Sequence, residues 1–371
     1  MPYRTTKVSR RTVTKAAAVA GLATVFGATT TTALAATRLG PVSKVAPAGR
    51  RLARTLAAPG ENPSTSSTRA SARHAESTHQ TPPGPPSGRT TPLSTQALGP
   101  RTLDVSVSSA ALGRSAPVRV ILPSGFDTQP ARTYPVLYLL HGAHDDYTSW
   151  TRETDIEAFT QRLDLIVAMP DAGPTGIPTA WRSGPDYETF QLTEVPALLA
   201  RDFRASGVRA VAGVSTGGYG AIAHAARHPG TFAAAASYSG ILDTTALGVP
   251  HLMDAIVARE NLALHSLWGN PVLNLLTWRD FNPRARAQGL RGTALYVSSG
   301  SGVVGGTGDW LPEALESALW PSAHAFTDTL AMLRIPATTH YYRGGGHSWT
   351  YWKREFTASW PLLASALGVP E

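Results

Sequence analysis

The chain predicts an α/β domain: a mostly parallel central sheet with helices packed on both of its faces. Three observations lead there. Short apolar runs bounded by turn residues alternate with longer segments of helical period. Those runs are apolar throughout rather than alternating, as expected of strands buried on both sides. Hydrophobic residues make up 42% of the 371 and charged residues 16%, enough for a large packed core.

The elements follow in order from residue 101, where the texture becomes that of a folded domain. Asp104–Ser108 and Pro117–Leu122 predict an antiparallel pair. Strands are then expected at Pro135–Leu140, Asp164–Met169, Val208–Ala212, Ala233–Tyr238, Thr293–Ser298 and Thr338–Tyr342. Helices are expected near Thr154–Arg162, Leu192–Arg204, Gly217–Arg227, Pro312–Leu333 and Tyr351–Leu367. No internal repeat is present, so 101–371 is expected to be one domain.

Two segments precede it. Ser9-Arg10-Arg11-Thr12-Val13-Thr14-Lys15 leads into a small-residue apolar run, Ala16 to Ala33, and Ala33-Leu34-Ala35 offers a small–x–small cleavage site. This is the form of a twin-arginine export signal over 1–35, which implies a secreted, extracellular enzyme. Residues 36–100 are rich in Pro, Ser, Thr, Ala and Arg and lack any period. Too poor in large apolar side chains to offset its ordering entropy, this stretch is expected to be a disordered linker, suited to lying along an anionic cell wall or membrane surface.

The net charge of +8 sits in those segments. Residues 1–100 hold 13 Lys and Arg against Glu61 and Glu76, leaving 20 basic and 23 acidic residues in 101–371. A domain with a net charge of about −3 and no basic cluster is not a nucleic-acid binder. There is no cysteine, which excludes disulfides, thiolate metal sites and a cysteine nucleophile. The histidines show no paired metal-ligand spacing, and no metal or organic cofactor is implied.

Chemistry enters at Gly213-Val214-Ser215-Thr216-Gly217. The pentapeptide follows a predicted strand and opens a predicted helix. G-x-S-x-G in that position is the nucleophile elbow of an α/β-hydrolase fold. The tight turn holds Ser215 exposed at a helix N-terminus, and a side chain at either glycine would strike the neighbouring strand or helix. The loop after Tyr138-Leu139-Leu140, His141-Gly142-Ala143, is expected to complete an oxyanion hole, with backbone N–H groups of Ala143 and Thr216 as donors. His141 reads as a hydrogen-bonded histidine that shapes this loop. The fold orders nucleophile, acid and base along the chain, so the base comes late. His347, in Gly344-Gly345-Gly346-His347-Ser348-Trp349 after the last strand, fits better than His340 inside that strand. For the acid, Asp309, Glu313 and Glu316 follow the Thr293–Ser298 strand, and position alone favours Asp309 as the nearest loop carboxylate.

Several segments in the same order resemble the antigen 85 mycolyltransferases and the wider esterase D-like family. They are Leu139–Gly142 with Asp145-Asp146-Tyr147 and Trp150, then Tyr187–Phe190 with Glu194-Val195-Pro196, Gly213–Gly217, Ser239–Asp243, Leu267-Trp268-Gly269, and His347-Ser348-Trp349 with Tyr351-Trp352. The resemblance carries the catalytic acid to Glu316, because Pro312-Glu313-Ala314-Leu315-Glu316 followed by Phe326 matches the family's acid segment. Asp309 stays as the alternative. This chain departs from the family at His141, where antigen 85 proteins carry Asp, and in a loop two residues shorter that lacks an Arg and a Gln of the trehalose site.

The expected function is therefore an exported serine esterase or acyltransferase acting through an acyl-serine on a small-molecule or lipid ester. Water, or a sugar or glycerol hydroxyl, would accept the acyl group. The alternatives are antigen 85-type mycolyl or diacylglycerol transfer and, in another class, a non-catalytic wall-associated binding protein on a hydrolase scaffold.

Overall fold

The computed structural model describes residues 92–302 and 310–371. The expected leader (1–35), most of the expected linker (36–100) and Asp309 lie outside the described residues.

Nine strands form one sheet: β1 (Pro92–Ala97), β2 (Thr102–Ser109), β3 (Arg114–Ile121), β4 (Tyr134–Leu140), β5 (Ile166–Pro170), β6 (Ala205–Val214), β7 (Ala234–Tyr238), β8 (Ala294–Gly300) and β9 (Thr338–Tyr342). Their spatial order is β1-β2-β3-β5-β4-β6-β7-β8-β9. The first three are joined antiparallel to one another and to β5, and everything from β5 to β9 is parallel. Burial explains the division. Strands β5 and β7 are buried at every residue, and β4 at every residue but Pro135, as helices on both faces require. Strands β2 and β3 instead alternate between buried and part-exposed positions. The predicted pair at 104–108 and 117–122 is this β2–β3 hairpin. Strand β1 pairs with β2 inside the stretch expected to be linker, so the sheet begins before residue 101.

Nine α-helices accompany the sheet among the described residues, with one π-helical and one 3-10 turn. They are α1 (Ser149–Glu153), α2 (Ile156–Phe159), α3 (Tyr187–Thr189), which runs through a π-helical turn at Phe190–Glu194 into α4 (Val195–Asp202), α5 (Thr216–Arg227), α6 (Val249–Arg259), α7 (Leu275–Asp280), a 3-10 turn at Ala287–Leu290, α8 (Trp310–Met332) and α9 (Trp349–Leu367). Two cores separate cleanly. On one face α1, α2 and α9 pack Trp150, Ile156, Trp352, Phe356 and Trp360 against Leu137, Leu139, Val214 and Tyr238. On the other, α4, α5, α6 and α8 pack Leu198, Ile222, Met253 and Phe326 against Val136, Tyr138, Val211 and Leu295. The sheet registers then carry the ends of β4, β6, β7 and β8 to one edge. Leu140 lies beside Gly213, Val214 beside Tyr238, and Tyr238 beside Ser298. Side chains just past those strand ends converge, as in other parallel sheets.

Candidate active site

Ser215 caps α5 at the end of β6 with φ 55° and ψ −122°, a conformation that L-residues rarely adopt. The surrounding backbone holds it there. Ser215 N–H donates to Tyr238 O at 2.9 Å, and Ser215 O accepts from Tyr219 N–H at 3.0 Å. The two flanking glycines make the close approach possible. A Cβ on Gly213 would lie 2.2 Å from Gly217 O, and one on Gly217 would lie 2.4 Å from His141 O and 2.5 Å from Leu140 O. Neither backbone contact can yield, so no larger residue fits at either place.

His347 Nε2 lies 2.8 Å from Ser215 Oγ, and its Nδ1 lies 2.9 Å from Glu316 Oε2. An ionised carboxylate accepts only, so Nδ1 carries the imidazole hydrogen and Nε2 is free to accept from the serine hydroxyl. The His347 loop is pinned where it must be, because His347 N–H donates to Pro312 O at 3.1 Å, one turn from Glu316 on α8. Glu316 is fully buried. Its second oxygen accepts from Gly300 N–H at 2.6 Å, Ser239 Oγ at 2.7 Å and Ser299 Oγ at 3.2 Å. Burial alone would raise its pKa. The bond and charge of His347, with the Gly300 and Ser239 donors, outweigh burial and hold the carboxyl below its ordinary value.

Trp352, one turn into α9, serves both halves of this pair. Its indole Nε1–H donates to Ser239 Oγ at 3.1 Å, while its ring meets the His347 imidazole edge-on at 4.9 Å. Ser239 itself has φ 53°, a second strained residue at a strand end beside the first. Ser239 and Trp352 lie inside segments that carry the family resemblance, yet nothing in their residue type announced a place beside Glu316. The bond needs β7, β8, α8 and α9 assembled.

The alternative base and acid stand apart. His340 Nδ1 contacts the buried Glu355 at 2.7 Å on the β9 edge, where Tyr296 Oη also donates to that carboxylate at 2.9 Å. Glu313, the remaining candidate acid, is buried near the start of α8 with no bond to His347.

Thr216 follows Ser215 in the chain, and Ala143 follows Gly142 in the loop that packs on it. Thr216 opens α5, where the first amides have no partner within the helix. Ala143 N–H has no backbone acceptor among the described residues. Gly142 packs against Ser215: a Cβ there would lie 3.2 Å from the serine Cβ. The loop's far side is held by His144, whose N–H donates to Pro174 O at 2.7 Å and whose imidazole pairs with Glu260 at the end of α6.

The model of the Esterase family matches residues 109–363. The chain belongs to this esterase family. Among its relatives, it is 30% identical over 260 residues to the esterase Rv1288 of Mycobacterium tuberculosis, a match that takes in 66% of this chain and 56% of that protein. The chain thus spans little more than half the length of that relative. It is 31% identical over 284 residues to the diacylglycerol acyltransferase/mycolyltransferase Ag85B of Mycobacterium leprae, covering 71% of this chain and 83% of that protein. Among solved structures it superposes on Mycobacterium tuberculosis MPT51 with a TM-score of 0.61 at 22% identity, over 72% of this chain and all of the other. A fluorophosphonate-binding serine hydrolase of Staphylococcus aureus superposes with a TM-score of 0.57 at 22% identity, covering 71% and 99%. The fold is therefore that of the α/β-hydrolase esterases, as the elbow predicted, and the antigen 85-like resemblance is shown with it. In this esterase-family chain no group of three His, Asp or Glu among the described residues is arranged to hold a metal ion. Nor is any described helix long and apolar enough to cross a membrane.

Proposed function

We propose that the chain is an exported serine carboxylic-ester hydrolase or acyltransferase in which Ser215, His347 and Glu316 form the catalytic triad. One observation carries the reading: an unbroken hydrogen-bonded line from Ser215 Oγ through the imidazole to a buried carboxylate, with steps of 2.8 and 2.9 Å. His347 takes the Ser215 proton as Oγ attacks the ester carbonyl. Ala143 and Thr216 N–H groups receive the developing oxyanion. The imidazolium returns its proton to the departing alcohol, leaving an acyl-serine. A second hydroxyl, deprotonated by His347, then takes the acyl group and restores Ser215. Glu316 stays ionised and stabilises the imidazolium that forms twice per turnover.

Water is the proposed acceptor. At the oxyanion loop His141 is turned into the protein, and His144 is occupied by Glu260, so neither presents itself freely to a sugar. Similarity to an acyltransferase supports a second reading, transfer to a sugar or glycerol hydroxyl. Adding such an alcohol to a reaction with a chromogenic ester separates them: a transferase forms acylated alcohol in preference to free acid. Ser215→Ala should abolish ester turnover, and labelling by a fluorophosphonate, in a protein with wild-type melting behaviour. Retained turnover would remove Ser215 from the mechanism. An unlabelled but folded wild-type protein would favour the non-catalytic binding role. Export by the twin-arginine leader is part of the proposal, and Arg10→Lys with Arg11→Lys should keep the protein inside the cell.

A further inference from the structure

The oxyanion loop is the visible end of a buried hydrogen-bond chain that runs about the length of α5. The chain begins at His224, in the last turn of that helix, whose Nε2 lies 3.2 Å from Gln191 Oε1. Gln191 Nε2 donates to Asp171 O at 3.1 Å. The Ala172 N–H donates to His141 Nε2 at 3.0 Å, and His141 Nδ1 lies 2.9 Å from Gly142 O. His224, Gln191 and His141 are each at most 2% exposed.

Donor and acceptor roles follow from these contacts. Gln191 gives its N–H to a carbonyl, so its oxygen faces His224, and His224 Nε2 must be the donor. Burial pushes the His224 pKa down to about 4, so this imidazole is neutral and carries one hydrogen. His141 Nε2 accepts from an amide, so its single hydrogen sits on Nδ1 and goes to Gly142 O. Two links pass through peptide groups. Asp171 O and Ala172 N–H belong to one planar unit and point in opposite directions, as do Gly142 O and Ala143 N–H. Every bond therefore donates in the same sense, from His224 toward Ala143. Fixing the Gly142 carbonyl on His141 turns the Ala143 N–H the other way, toward Ser215.

We propose that His141, Gln191 and His224 are positioning residues of the oxyanion hole: a one-way hydrogen-bond chain that aims the Ala143 N–H and polarises it. The inference rests on the proposed role of Ala143. Bonds aligned head to tail strengthen one another, and an oxyanion donor acts by being oriented before charge develops. The π-helical turn at Phe190–Glu194 belongs to the device, since it contains Gln191 and such turns frequently mark functional sites. Gly176 completes it on the opposite side. A Cβ there would lie 2.4 Å from Gly142 O, so only glycine leaves that carbonyl to His141.

The test separates donor direction from mere filling of space. In the full-length protein, His141→Asn puts an amide N–H near the position of Nδ1 and keeps the donor to Gly142 O. His141→Gln is closer in volume, reaches the Ala172 N–H, and loses that donor. With p-nitrophenyl butyrate, His141→Gln should lower kcat about thirtyfold with KM within about twofold, whereas His141→Asn should lower it less than about fivefold. Gln191→Met, isosteric and remote from the substrate, should lower kcat about fivefold at unchanged KM. It also keeps the test decisive should a His141 variant fail to fold. Equal losses in the two His141 variants, a loss carried by KM, or a Gln191→Met enzyme with wild-type kcat would overturn the proposal. A wild-type protein that neither turns over ester nor labels would instead overturn the functional reading beneath it.

Discussion

At the residue scale, each proposed catalytic group has its chemistry set by its neighbours. Glu316 is buried, which by itself would protonate it, yet three hydrogen-bond donors besides His347 surround its carboxylate. Replacing it by Gln removes the acceptor that fixes the His347 tautomer, so Glu316→Gln should lower kcat by about three to four orders of magnitude at near-constant KM. Steady-state kinetics on an activated ester measures this directly. Ser239→Ala is milder: the carboxylate keeps Gly300, Ser299 and His347 but loses one donor. Glu316 is then held less firmly against the imidazole, so kcat should fall about tenfold at near-constant KM. A wild-type kcat would assign Ser239 to packing alone.

At the element scale, the elbow and the aromatic cluster below it bear the structural load. Gly217→Ala forces a methyl into the Leu140 and His141 carbonyls, so it should destabilise the fold by about 3 kcal/mol in urea titrations and take activity with it. Trp268 is fully buried, stacked on Phe281 at 5.2 Å and set edge-on to Trp278 at 4.9 Å. Trp268→Ala leaves a cavity that rigid neighbours cannot close, and should cost about 3–5 kcal/mol. The elements themselves were largely legible in the chain. Runs such as 208–212 and 233–238 lie within or along β6 and β7 because strands buried on both faces need no polar alternation. Strand β1 was not legible. Its sequence, Pro-Leu-Ser-Thr-Gln-Ala, is that of a linker, and it becomes a strand only because β2 offers an open edge. Helix α6 was also missed, although its buried Val249, Leu252, Met253 and Val257 recur at helical spacing.

At the scale of the whole molecule, acid sensitivity is built into the face of the sheet away from α9. His224 is held neutral, with a folded pKa of about 4 against 6.5 when exposed. The unfolded chain therefore takes the proton first, and stability drains as pH falls from 6.5 to 4. Glu188 acts in a lower window. Burial would raise its pKa, but His228, His224 and Arg227 hold it at about 2 against 4.5. Its contribution is complete above pH 4.5 and lost on the way to pH 2. The melting temperature should thus fall in two stages, and Glu188→Gln should remove most of the lower one, at a cost of no more than about 3 kcal/mol at neutral pH. Differential scanning calorimetry across pH 2–8 resolves the two.

The same division of scales separates what the sequence determined from what it left open. Gly213–Gly217 between an apolar run and a helical one already specifies an elbow with Ser215 at its tip, because strand, turn and helix are consecutive and local sterics decide them. His347 was singled out as the candidate base in the same way, from a glycine-rich loop after the last strand. The acid was not. Asp309, Glu313 and Glu316 lie within eight residues of one another, and by position alone the loop carboxylate Asp309 stood ahead. Only the docking of α8 against β7 and β8 puts Glu316 Oε2 at 2.9 Å from the imidazole and surrounds its other oxygen with Ser239, Ser299 and Gly300. The chain behind Ala143 is likewise tertiary. His141, Asp171, Gln191 and His224 are separated by 20 to 33 residues, and hydrogen bonds only about 3 Å long cannot be read from such intervals until the layers close around them.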